Sequence, residues 1–391
     1  MSVVIIGEVS NDLMRLQSYF KRMNITEIHS FPSAELVIKY IPDTIKDTVE
    51  VVVLDVNMTL KNCEEICQKI ELLNHWIDVP ILLSTTYEMA KTIDRLFEAG
   101  IFDFILKPFD FMHFKSRIVV ALKYYKESNA LKFREVQWKN DLLFAKKVQK
   151  NSLPSRLKSE HVECDGLYFT SNSLGGDMYC WHKINEHLTA VLIYDVMGHG
   201  IATSLVTMSI RSLTKGLITR LIDPVYVIKE LNRQIQEMFF NSDMDSFLVT
   251  AIYLLIDTKN KTVDYVNAAH PAGVKMGKYD HTMELSSNTP ILGLFPNIKV
   301  NKKRIHLADW SRIILYTDGL LSVQKNEILD IDFFHSYASQ HNTYTLEKFA
   351  QKYKLLDNTY KDDIKYDSRF AYILNIIPHK DSKKLDDVYI I

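Results

Sequence analysis

The sequence predicts two folded regions of different class joined by a helical linker. The first is an α/β doubly wound parallel sheet, the second an α+β layered sandwich of antiparallel sheets. Three observations carry this. Short apolar runs alternate with helix-period segments through the first ~125 residues. No glycine or proline interrupts the 45 residues from Phe109 to Leu153. Beyond them, alternating strand-like runs outnumber two long helical stretches.

In chain order, Val3–Ile6, Val51–Leu54, Pro80–Leu83 and Phe102–Leu106 read as strands, with Glu27–Phe31 as a weaker fifth. Leu13–Phe20 and Ile93–Ala99 are periodic segments between them. Short strands spaced by helices imply crossover connections, hence a parallel sheet covered on both faces. In the stretch without breakers, Phe111, Phe114, Ile118, Leu122 and Tyr125 keep a 3–4 spacing. That stripe falters at Ser128-Asn129 and partly resumes at Phe133, Val136, Leu143 and Val148, as expected if the last helix of the first region runs on into a linker helix. Thr189–Tyr194, Phe247–Ile256, Thr262–Ala268, Arg312–Tyr316 and Phe370–Ile376 are the strand candidates of the second region. Ile201–Arg220 and Pro224–Phe240 are its helices, and Asp257–Lys261 its hairpin turn. The expected division is 1–127, a linker at 128–160, a second region at 161–378 and a charged tail at 379–391.

Composition narrows the function. With 47 Lys+Arg against 48 Asp+Glu, bulk charge does not favour nucleic-acid binding. Four cysteines in 391 residues make no disulfide scaffold, so a reducing compartment is expected. The longest nearly apolar stretch, Phe247–Ile256, is far below the ~20 residues of a membrane helix, and no signal peptide is evident. A cytoplasmic protein that binds neither membrane nor nucleic acid is the expectation.

Four groups fall at strand ends in the first region: Glu8, Asp55, Thr85 and Lys107. In a doubly wound sheet, ligands bind at the carboxyl ends of the strands. Converging carboxylates suit a hard cation such as Mg²⁺, and a lysine beside a hydroxyl suits phosphoryl oxygens. This region resembles the flavodoxin-like receiver domain of two-component response regulators. Asp55 to Thr85 spans 30 positions, Thr85 to Lys107 spans 22, and Lys107-Pro108 resembles the family's Lys-Pro pair. The resemblance implies Asp55 as phosphoacceptor, phosphorylated by a sensor histidine kinase. It also implies Glu8, Asp55 and the Asn57 carbonyl around Mg²⁺, Thr85 and Lys107 reading the phosphoryl group, and Phe104 as the switching aromatic. Two departures stand out: Gly7 precedes Glu8 where two adjacent acids are usual, and the usual Pro and Gly are missing from Asp55-Val56-Asn57-Met58-Thr59.

In the second region Asp177 follows two glycines, Asp195 ends an apolar run, and Asp318 ends another before Gly319. Carboxylates capping apolar strands are costly to bury unless paired or metal-bound. Gathered on adjacent strands they would form an oxygen site for Mg²⁺ or Mn²⁺, and two such ions activate a water for in-line attack on phosphorus. Asp318-Gly319 alone reads better as a turn. Gly175–Tyr179, Asp195–Gly200, Asn267–Pro271 and Leu315–Gly319, in that order, resemble the protein phosphatase 2C family, in its bacterial SpoIIE-like branch. Ala145–Gln149 through Leu153-Pro154 also resembles the helix before that branch's catalytic domain.

That resemblance implies two antiparallel sheets flanked by helices and two Mn²⁺ or Mg²⁺ ions. Asp177, Asp195, the Val196 carbonyl and Asp318 become ligands. Asp367 is a candidate last ligand, because Asp367-Ser368-Arg369-Phe370 departs from the family's Asp-Asp-x-Thr. It also implies a serine/threonine phosphatase acting on a phosphorylated, STAS-type anti-sigma-factor antagonist. The receiver in front resembles the arrangement of RsbU-like phosphatases of the sigma-B stress response, with homodimerisation expected. Two rival readings are a catalytically impaired interaction protein and an enzyme whose receiver is only a constitutive dimerisation module. His270 and the tryptophans Trp138 and Trp310 read as structural residues, His199 as solvent-facing, and Cys63 and Cys67 as too few ligands for zinc.

Overall fold

A computed structural model describes residues 2–41, 48–55, 60–71, 76, 78–90, 93–168, 170, 174–239, 247–277, 282–308, 311–320 and 371–376. It divides into two compact units, Met1–Lys139 and Asn140–Ile391.

In the first unit β1 (Ser2–Gly7), β2 (Glu27–Phe31), β3 (Val49–Asp55), β4 (Ile81–Thr85) and β5 (Asp103–Leu106) form a parallel sheet in the order β2-β1-β3-β4-β5. The order reverses beside β1, so the ends of β1 and β3 flank a topological switch point. Val3, Ile5, Val51 and Val53 pack on one face with Leu16, Phe20 and Phe114; Val4, Ile6, Val52 and Leu54 pack on the other with Val37 and Ile70. Burial on both faces is why these strands read as unbroken apolar runs rather than alternating ones. Helix Asn11–Arg22 starts where the Ser10 hydroxyl accepts from the Leu13 amide, an N-cap the apolar pattern does not reveal.

The stretch without breakers is one helix, Phe111–Asn151. The unit boundary falls inside it. Phe114, Ile118 and Ala121 are buried in the first unit's core. Further on, Phe133, Val136, Trp138, Leu143 and Phe144 are exposed. Trp138 therefore does not anchor packing within the chain, contrary to the sequence reading. Trp310 lies outside the described residues.

The second unit holds β6 (Leu157–Lys158), β7 (Glu163–Gly166), β8 (Asp177–Lys183), β9 (Leu188–Val196), β10 (Val249–Asp257), β11 (Thr262–Ala268), β12 (Gly273–Gly277), β13 (Met283–Leu285), β14 (Lys303–His306), β15 (Ser311–Tyr316) and β16 (Ala371–Ile376). One antiparallel sheet runs β14-β11-β10-β9-β8, the other β13-β12-β15-β16-β7-β6. Tyr179, Trp181, Val191 and Ile193 point into the core shared with Val162, Cys164, Ile313 and Leu315 of the second sheet. Met178, Cys180, Leu192 and Tyr194, on the opposite face, pack against helices Ile201–Leu221 and Pro224–Phe239. Strand β8 is absent from the sequence expectation because Asp177–Lys183, though buried over its first five residues, shows neither an unbroken apolar run nor a clean alternation.

Candidate functional site

Two clusters of strand-end carboxylates form, one in each unit. In the first, Asp55 ends β3 and is only 5% exposed. Its Oδ1 lies 2.6 Å from the Lys107 ammonium, which also reaches Asp12 Oδ2 at 3.1 Å. Burial lowers the lysine's pKa, but hydrogen bonds and attraction from Asp55 and Asp12 outweigh it and raise the pKa above its ordinary value. The Lys107–Pro108 peptide is cis. The Lys107 amide donates to the Thr85 carbonyl at 2.8 Å, which puts Thr85, buried at the end of β4, on the same edge. Phe104 pairs in register with Leu83, two residues before Thr85. Its ring is half-buried, with the Arg117 guanidinium 5.9 Å from its centre.

Gly7 and Asp55 are register partners, and a Cβ on Gly7 would sit 2.4 Å from the Asp55 carbonyl oxygen. No acid fits at position 7 with this backbone, which gives the departure from the receiver pattern a steric cause. Glu8 is exposed. The acid that reaches the lysine is Asp12, in the first turn of the next helix, which sequence spacing missed. Asn57 lies outside the described residues.

In the second unit Asp177 opens β8 and Asp195 lies near the end of β9. The antiparallel register sets the two directly opposite one another. Asp177 is 1% exposed, whereas Asp195 is half-buried. Gly176 allows a close backbone approach beside them: a Cβ there would lie 2.8 Å from the Val196 carbonyl oxygen and 3.6 Å from Asp195 Oδ1. Beneath it, the Thr207 hydroxyl donates to the Gly176 carbonyl at 2.6 Å. The Thr317 hydroxyl at the end of β15 donates to Asp177 Oδ2 at 3.4 Å. This brings the exposed Asp318, first residue of a 3₁₀ turn, to the same end of the sandwich. Asp177, Asp195 and Val196 are therefore together, with Asp318 one residue from Thr317. Asp367 lies outside the described residues.

Two carboxylates in register, with a backbone carbonyl close by, are a donor set that fits a hard divalent cation. The loop between Asp195 and the next helix turns through Gly198 at φ +104° and Gly200 at φ +90°, conformations that side-chain-bearing residues avoid. His199 is exposed between them.

His270 is buried and hydrogen-bonded through Nδ1 to the Thr250 hydroxyl at 2.8 Å. Burial pushes its pKa down to about 3, against a smaller opposing effect of the Tyr316 backbone. It stays neutral near pH 7. A residue without an assigned role in the sequence reading proves central. Gln149, 2% exposed in the last turns of the long helix, donates from Nε2 to the Gly175 carbonyl at 2.8 Å and accepts from the Gly175 amide at 3.1 Å. The Arg211 guanidinium, on helix Ile201–Leu221, donates to the Ser152 carbonyl at 3.1 Å. The end of the linker helix thus holds the backbone that presents Asp177.

The chain thus joins a parallel sheet with a lysine-paired aspartate at its switch point to a two-sheet sandwich with carboxylates gathered at one end. Residues 3–119 match the family model described as response regulator receiver domain, and residues 185–366 that described as stage II sporulation protein E (SpoIIE). The front of the chain is thus similar to response regulator receiver domains and its back half to the SpoIIE family, each match covering less than half of the chain. The chain is similar to phosphoserine phosphatase RsbP of Bacillus subtilis (strain 168), 37% identical over 183 residues, covering 47% of this chain and 45% of that protein. Phosphoserine phosphatase RsbU of the same organism is 25% identical over 198 residues, covering 50% and 58%. The chain thus spans about half the length of these relatives. In fold it is similar to the SiaA-PP2C domain of Pseudomonas aeruginosa, with a TM-score of 0.52 and 18% identity over 62% of this chain and 98% of that one.

Proposed function

We propose that the chain is a metal-dependent serine/threonine protein phosphatase controlled by phosphorylation of Asp55. The register pairing of Asp177 with Asp195 across Gly176 carries the catalytic reading. Divalent ions bound there, Mn²⁺ or Mg²⁺, supply Lewis-acid activation of water and neutralise phosphoryl charge. Asp177, Asp195 and the Val196 carbonyl hold them, Asp318 approaches from β15, and Asp367 is assigned as a further ligand. The chain's own part is placement: Gly176 lets the backbone pass close to the Val196 carbonyl, while Thr207 and Gln149 fix that backbone by hydrogen bonds.

In the receiver, Asp55 accepts a phosphoryl group from a sensor histidine kinase. Lys107 and Thr85 bind it, and Mg²⁺ is held by Asp55, Glu8 and the Asn57 carbonyl, while Asp12 pairs with Lys107. Phe104 follows the change. The helix Phe111–Asn151 carries the signal, because it begins in the receiver core and ends at the Gln149 clamp. Its exposed Phe133, Val136, Trp138 and Leu143 support covering by a second copy of the chain. The likeness to RsbP and RsbU supports a phosphorylated STAS-type anti-sigma-factor antagonist as substrate in a cytoplasmic partner switch. Among the described residues no helix is long and apolar enough to cross a membrane.

The test is hydrolysis of a phosphate ester with Mn²⁺, with and without a small phosphodonor. Wild type should turn over and respond to the donor, Asp195→Ala should lose turnover, and Asp55→Ala should lose the response. Equal rates in wild type and Asp195→Ala would sink the catalytic reading. Unchanged rate with Asp55 demonstrably phosphorylated would leave the receiver a constitutive dimerisation module.

A further inference from the structure

The far end of the sandwich holds a second group of metal-binding side chains. His161 sits in the turn between β6 and β7. Glu186 and His187 sit in the turn between β8 and β9. Each offers one ligand atom, and these atoms all lie within 4.8 Å of one another. The two imidazoles stack with ring centres 5.0 Å apart and 24° between planes. Strand β8 separates this group from Asp177: its seven residues at ~3.4 Å each place the group about 20 Å from the carboxylate pocket.

The surroundings hold the group in place. The Asn185 carboxamide oxygen accepts from the amides of His187 and Leu188, at 2.9 and 2.8 Å, which fixes the β8–β9 turn. The Ser159 amide donates to the Val162 carbonyl and the Val162 amide to the Ser159 hydroxyl, which fixes the β6–β7 turn. The nearly buried Thr258 hydroxyl donates to the His187 carbonyl at 3.2 Å and lies 3.3 Å from His187 Nδ1. A Thr258 hydroxyl that donates to this carbonyl can accept from Nδ1–H, and in that tautomer the His187 Nε2 lone pair is available to a ligand, the outer support that metal-binding histidines have.

We infer that His161, Glu186 and His187 form a transition-metal site, with Zn²⁺ as the best-matched ion. Two imidazoles and a carboxylate, with water as fourth ligand, match the borderline-soft ion rather than Mg²⁺ or Mn²⁺, which the all-oxygen pocket prefers. A tetrahedral zinc ion needs its ligand atoms about 3.3 Å apart, so closing the group takes small rotations, chiefly of the exposed Glu186. The two turns belong to different sheets, so the ion would cross-link the sandwich. It would stabilise the fold by mass action, without taking part in hydrolysis.

The experiment is zinc chloride titration of the metal-stripped full chain in excess Mg²⁺, read by calorimetry and thermal melting, with Co²⁺ absorption to report geometry. Wild type and Asp195→Ala should each bind one zinc equivalent, melt at higher temperature with zinc, and give the intense visible bands of four-coordinate cobalt. Glu186→Gln and His187→Ala should each bind at least 10-fold more weakly. Glu186 is exposed, so its amide variant keeps the fold even where His187→Ala does not. Unchanged zinc affinity in Glu186→Gln, or zinc binding lost in Asp195→Ala instead, would overturn the assignment.

Discussion

Asp55 and Asp177 are both nearly buried carboxylates at the end of a strand, yet the chain surrounds them differently. Asp55 faces the Lys107 ammonium at 2.6 Å, with Asp12 behind it. Asp177 faces Asp195 across a strand pair, with a backbone carbonyl beside both. The first arrangement sets an ammonium against the carboxylate. The second sets two carboxylates opposite one another on neighbouring strands, a donor set that suits a divalent cation. The contrast teaches that acids at strand ends acquire different chemistry from what the neighbouring strand delivers.

The largest expected effect separates the two sites most directly. Removing Asp195 should lower phosphate-ester hydrolysis at least ~100-fold, several kcal/mol of transition-state stabilisation. Removing Asp55 should abolish the response to phosphodonor instead. Equal losses from both would break the distinction.

Next comes acid stability. His270 has a folded pKa near 3 against an ordinary 6.5, so the unfolded chain takes up a proton first as pH falls. Stability of the second unit should therefore decline from about pH 6.5 toward pH 3. His270→Gln should flatten this part of the profile measured by denaturant melts.

Gly7→Ala should cost the first unit about 1–3 kcal/mol, because its Cβ meets the Asp55 carbonyl. A melt unchanged from wild type would show that β1 and β3 can separate.

The smallest effect is alkaline. Lys107 has a raised pKa, so its contribution is full below 10.5 and fades as pH climbs through the folded value. Lys107→Gln should remove that alkaline loss from the first unit's stability profile.

How much of each site could be read in advance follows from sheet type. In a parallel sheet every strand leaves at the same edge, so finding the strands places Asp55, Thr85 and Lys107 together without knowing any contact. The helical crossovers then fix the spacings of 30 and 22 positions. Asp12 escaped because it lies in a helix, one turn beyond the strand end. In the antiparallel sandwich one edge collects the start of β8 and the end of β9, so the meeting of Asp177 and Asp195 depends on a pairing that apolar pattern does not encode. Motif order alone pointed there. Strands β6, β13 and β14 were missed because they are short or largely exposed, and β8 and β12 because neither shows an unbroken apolar run or a clean alternation.

Local chemistry wrote much of this protein into its sequence. Apolar periodicity set the five parallel strands, the absence of glycine and proline set the long helix, and Gly198 and Gly200 set the loop after Asp195. What the chain could not announce residue by residue was which distant backbone each side chain would meet. Gln149 reaching Gly175, Asp12 reaching Lys107, Thr258 orienting His187 and Gly7 lying against Asp55 all arise from packing, where steric fit and the need to satisfy buried polar groups act between segments far apart in sequence.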